Sequence, residues 1–155
     1  MQTKIFWKWP RSVKNISIKQ RKIMTKLENE KEKYLKTVKN LEDILKKEKT
    51  QEYRDAAIKR FELCFDVAWK LLKTVLEEEK TIICKSPNEC FQQAYMQGFI
   101  KYSDLWMKMA KTRNESVYTY KEELAEALYK ELPGYLKLFQ DLKEKIAEKR
   151  NENHA

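Results

Sequence analysis

Within eight residues, RNESVYTY at 113–120, the chain gathers a guanidinium (Arg113), a carboxamide (Asn114), a serine hydroxyl (Ser116) and two phenols (Tyr118, Tyr120). An arginine stays charged at any cellular pH and presents a planar fork of N–H donors that matches a phosphate. Asn114 beside it can donate or accept. Phosphate or nucleotide binding is therefore one chemistry open to this stretch. The other reading is a helix end, where polar side chains satisfy backbone groups left without helical partners.

Other chemistries are excluded by what the chain lacks. Its single histidine, His154, is the penultimate residue, where chains commonly fray. No histidine is thus placed to act in the core as a general base, a nucleophile's partner or a metal ligand. The three cysteines, Cys64, Cys84 and Cys90, form no CxxC and are odd in number. That argues against a disulfide framework and against a zinc site. Cys64 falls within an apolar helical face and reads as a small buried hydrophobe. No metal and no cofactor is expected.

The elements that must position RNESVYTY are helical. With 2 Gly and 3 Pro in 155 residues, 37% charged and 42% hydrophobic, the composition describes long helices joined by short turns. Leu27, Tyr34, Val38, Leu41 and Leu45 mark one stripe over about 25–49. A wider, aromatic stripe of Ile58, Phe61, Phe65, Ala68, Trp69, Leu72, Val75 and Leu76 marks the helix expected to be most buried. Ser86, Pro87 and Glu89 form a capping box with proline at the first helical position, and Gly98 suits that short helix's stop. Ser103 is expected to cap the helix leading into RNESVYTY. The last helix, about 121–149, carries Leu124, Ala127, Leu128, Leu132, Leu138, Phe139, Leu142 and Ile146, and Pro133-Gly134 is expected to kink or break it. The sum is an all-α fold, an up-and-down antiparallel bundle of four to five helices.

The basic excess is local. Residues 1–23 hold seven of the 33 basic residues and no acid, so the remainder is close to neutral against 24 acids. A phosphate-binding argument from bulk charge reaches only that segment. The organisation read here is a basic extension at 1–23, a bundle domain at 24–150 and a short tail at 151–155. No apolar run approaches the roughly 20 residues a bilayer requires, so a cytoplasmic protein with no membrane partner is expected.

Three blocks carry a resemblance: RFELCFDVAWKLLKTVLEEE at 60–79, SPNECFQQAYMQGFI at 86–100 and LWMKMAKTRNESVYTY at 105–120. In order and spacing they are similar to the nucleotidyltransferase substrate-binding protein family of the HEPN superfamily, from about Met24 to Ile146. The resemblance implies a homodimeric helical bundle that partners a minimal nucleotidyltransferase, in some cases as a toxin–antitoxin pair. The superfamily signature is an arginine and a polar neighbour, then a histidine, extended in nucleotidyltransferase-paired members to a tyrosine two residues later. Arg113 and Asn114 match its start, Tyr120 matches its end, and Tyr118 stands where the histidine belongs. In ribonuclease members the arginine and histidine cut RNA, and a phenol is a poor substitute for an imidazole that titrates near neutrality. The resemblance thus implies a non-catalytic partner that binds nucleotide or RNA phosphate at a dimer cleft through Arg113, Asn114 and Tyr118. Tyr120 is its candidate adenylylation acceptor. The alternative is a metal-independent HEPN ribonuclease toxin with Tyr118 in the histidine's place.

Overall fold

The computed structural model describes residues 25–154, the side chains of 149–154 excepted. The expected extension at 1–23 lies outside the described residues. Five helices follow one another: α1 (Lys26–Leu45), α2 (Gln51–Lys80), α3 (Pro87–Met96), α4 (Ser103–Glu115) and α5 (Glu122–His154), with a 3-10 turn at Ser116–Tyr118 between the last two. No strand occurs among the described residues. None of these helices is long and apolar enough to cross a membrane.

Local chemistry starts and stops the helices. Thr25, Thr50 and Ser86 sit in extended conformation, and each side chain accepts the backbone N–H three residues on. That satisfies one orphan donor per helix. Glu89 closes the box at Ser86 one residue early, accepting from the Lys85 N–H at 3.1 Å. Gly98, at φ +78°, ends α3: its N–H reaches Tyr95 O and the Phe99 N–H reaches Ala94 O, the paired bonds of a Schellman stop. Ser103 does not cap α4. It is the first helical residue, and Tyr102 takes the cap position without a side-chain bond. The Trp106 N–H closes that first turn on Tyr102 O, in the phase that buries the Trp106 indole.

α1 and α2 run in opposite directions. Arg60 near the middle of α2 reaches Asn40 O on α1, while Leu72 and Val75, farther along α2, lie beside Lys31 at the start of α1. α2 and α5 instead pack side by side in the same direction: Arg54 pairs with Glu122 and Glu126, Phe61 meets Tyr135 and Phe139, and Leu72 lies with Leu142 and Ile146. Between the helices runs a chain of rings. Tyr135 stacks on Phe61 at 5.4 Å, Phe139 meets Trp106 edge-on at 5.7 Å, and Trp106 meets Phe91, which meets Phe65. These contacts join α2, α3, α4 and α5 into one core. Tyr34 of α1 enters it fully buried and donates to the Phe139 carbonyl at 2.6 Å, as a buried phenol must find an acceptor. The aromatic stripe of α2 is thus core packing, and Cys64 within it is fully buried, its thiol pushed up to about 12 chiefly by burial.

Three further expectations are corrected. Cys84 and Cys90 form a disulfide, with Cα atoms 5.2 Å apart, within the range a disulfide spans. The six-residue separation loops around the Ser86–Pro87 helix start and brings both sulfurs under the short helix, which spacing rules for CxxC do not detect. Pro133 does not break α5, which is continuous past it. A proline inside a helix costs about 3 kcal/mol, from the lost hydrogen bond and the clash of its ring with the preceding turn. Burying Leu128, Leu132 and Phe139 on either side stabilises by about 1.5–3 kcal/mol each. Packing therefore wins. Finally, Leu124 and Ala127 face outward, and Ala125 is buried instead. The buried Arg54 guanidinium pairs with both Glu122 and Glu126, and this turns the face carrying Ala125 toward α2.

Candidate functional site at the α4–α5 junction

RNESVYTY is the end of α4, the 3-10 turn and the approach to α5. Ser116 fixes its shape. This buried serine lies 2.6 Å from Arg113 O and within hydrogen-bond reach of Glu62, and its carbonyl accepts from Thr119 Oγ1 at 2.8 Å. The chain thus turns over a satisfied polar pivot instead of an apolar one.

Arg113 projects onto α2. Its Nε and Nη2 donate to the two oxygens of Asp66 at 3.2 and 3.1 Å, and Nη1 donates to Glu62 Oε2 at 3.0 Å. A fourth bond runs from Nη1 to Ser116 Oγ at 3.2 Å. The Asp66 hydrogen bond, foremost, raises the guanidinium above its ordinary range. Glu62 and Asp66 are not singled out by the sequence motifs. Their signal is nonetheless present: two carboxylates four residues apart, on one face of the helix that carries the aromatic stripe, where an acid needs a partner.

The other residues of the stretch stand outward. Asn114 is exposed, Tyr118 is 51% and Tyr120 77% exposed, and their ring centroids lie 6.4 Å apart in an edge-on arrangement. Val117 and Leu124 are exposed beside them. A cleft of about 290 Å³ opens next to this cluster, lined by Lys111, Thr112, Glu115, Thr119, Leu124 and Leu128, among others. The structure brings Arg113, Asn114, Tyr118 and Tyr120 to one end of the bundle. It does not bring either phenol into the arginine's hydrogen-bond set. Trp106 is a core ring, away from the turn in the packing of Phe91 and Phe139. Among the described residues no cluster of histidine, cysteine and carboxylates is arranged to hold a metal ion.

Chemically, the junction offers a fixed cation already engaged by carboxylates, next to two solvent-accessible phenols on an apolar rim. Residues 22–148 match the family described as nucleotidyltransferase substrate binding protein like. No curated protein matches the chain. A crystal structure of a protein from Thermus thermophilus is similar at 31% identity, over 70% of this chain and 94% of that one, with a TM-score of 0.67.

Proposed function

Because this chain belongs to the nucleotidyltransferase substrate binding protein like family, we propose that it is the helical, non-catalytic partner of a minimal nucleotidyltransferase. In this reading it acts in the cytoplasm as a homodimer whose contact includes the α4–α5 junction, as the HEPN resemblance implies. Arg113 and Asn114 contact the phosphate of a nucleotide or RNA, with Tyr118 at its border. The observation that carries the reading is the junction itself: two exposed phenols within one short turn of an anchored guanidinium, rimmed by the exposed Val117 and Leu124.

Tyr120 is the proposed acceptor of an adenylate. Its phenol oxygen attacks the α-phosphorus of ATP held by the partner. The bond from that phosphorus to the bridging oxygen breaks, pyrophosphate leaves on the partner's metal ions, and the phenol proton passes to water or a partner base. The 77% exposure of Tyr120 gives a partner's active site room to reach it. The added anion stands near Arg113 and competes for the same site, which is how such a modification silences a cleft in a toxin–antitoxin pair.

The test is incubation with the nucleotidyltransferase encoded beside this chain, ATP and magnesium, followed by mass mapping of peptides. An adenylate on Tyr120 that is lost in Tyr120→Phe is the expected result. No modification of Tyr120, or one confined to Tyr118, contradicts the assignment.

A further inference from the structure

An arginine has five N–H donors, and Arg113 already makes four hydrogen bonds: two to Asp66, one to Glu62 and one to Ser116. A phosphate cannot take the guanidinium's bidentate edge while that edge is filled. The two carboxylates are not equivalent. The Glu62 side chain is 14% exposed and is tied to the buried Ser116 as well as to Arg113. The Asp66 side chain is 39% exposed and holds the outer edge through Nε and Nη2. Displacing Glu62 would leave a largely enclosed acid with only the exposed Lys59, 3.7 Å away, and would unseat the turn. Displacing Asp66 returns a carboxylate to water it already touches.

We infer that Glu62 is the positioning residue of the junction and that Asp66 is a displaceable latch, occupying the edge of Arg113 that an incoming phosphate oxyanion must take. The inference rests on the phosphate-binding reading of Arg113 and adds its regulation. Geometry supports the exchange, since a carboxylate and two phosphate oxygens meet the same fork. Charge supports it too. The pair is bidentate, but with the Asp66 side chain 39% exposed it is screened by solvent, and a multivalent anion brings more charge to the same fork. The apparent affinity of the site is then reduced by the fraction of molecules in which Asp66 holds the edge.

The two acids stand four residues apart on α2, and each can lose its charge by an isosteric change. An account based on general charge predicts that Glu62→Gln and Asp66→Asn both tighten anion binding. The latch predicts opposite signs. With a labelled single-stranded RNA oligonucleotide at low salt, read by fluorescence anisotropy, Asp66→Asn is expected to bind roughly threefold to tenfold tighter than the parent. Glu62→Gln is expected to bind several-fold weaker, and Arg113→Ala in the Asp66→Asn background to abolish the gain. Should Glu62→Gln fail to fold by circular dichroism, Glu78→Gln replaces it as the charge control, because Glu78 is exposed on the same helix; the latch then requires no comparable gain from it. Binding that depends on Arg113 but is unchanged or weakened in Asp66→Asn overturns the latch and leaves the phosphate reading standing. Binding indifferent to Arg113→Ala, or absent from parent and Asp66→Asn alike, overturns both.

Discussion

Arg54 and Arg113 show how differently two arginines of one bundle are used. Arg54 is 2% exposed and pairs with Asp55, Glu122 and Glu126, so it pins the start of α5 to the start of α2. Arg113 is more open and grips two acids of α2, of which Asp66 is the more exposed. The Arg54 cluster has a pH signature. Hydrogen bonds from Arg54 hold the Glu122 carboxyl below its ordinary value of 4.5, and those from Lys49 and then Arg54 do the same for Glu126. Carboxyls depressed in the folded state contribute stability that is complete above about pH 4.5 and is lost as pH falls through their folded values. The expected outcome is a melting temperature that drops with acid below about pH 4.5, more steeply in the parent than in Arg54→Met. Parallel pH–melting curves for the two proteins would remove the cluster from the account. At this scale the sequence displays Arg113 and its phenols but not their partners. Glu62 and Asp66 lie 51 and 47 residues away in the chain, and pairing over such separations is decided by helix packing, which local spacing does not encode.

Helix boundaries are the most readable feature, because caps are local. Thr25, Ser86 with Glu89, Pro87 and Gly98 all act within four residues of themselves. Sequence and structure part where packing overrides the local rule: α5 passing through Pro133, Ser103 displaced by the burial of Trp106, and Leu124 turned outward by Arg54. The two glycines make this contrast measurable. A Cβ added at Gly98 or at Gly134 meets nothing within 4 Å, so substitution tests the backbone alone. Gly98 has φ +78°, and Gly98→Ala should destabilise by about 1–2 kcal/mol, the penalty of a left-handed conformation for a residue with a side chain. Gly134 lies inside α5, and Gly134→Ala should stabilise by about 1 kcal/mol. Denaturant unfolding of both variants checks the pair. Equal signs would mean that one of the two backbone conformations is not as described.

At the scale of the whole molecule, the all-α bundle follows from periodicity, and the core lies where the aromatic stripe of α2 puts it. The disulfide does not follow, since three cysteines admit several pairings and only the fold brings Cys84 under Cys90. The site of proposed function is legible in RNESVYTY, and the fold adds Leu124 to it, so that Val117, Tyr118, Tyr120 and Leu124 present more apolar and aromatic surface than a polar helix end requires. Such a cluster suits a protein contact. The most direct measurement is size-exclusion chromatography with light scattering, on this chain alone and mixed with the nucleotidyltransferase encoded beside it. The account predicts a homodimer alone, a stable heteromeric complex in the mixture, and loss of that complex in a folded Tyr118→Ala/Tyr120→Ala variant. A monomer that forms no complex, or a complex indifferent to both tyrosines, would contradict it.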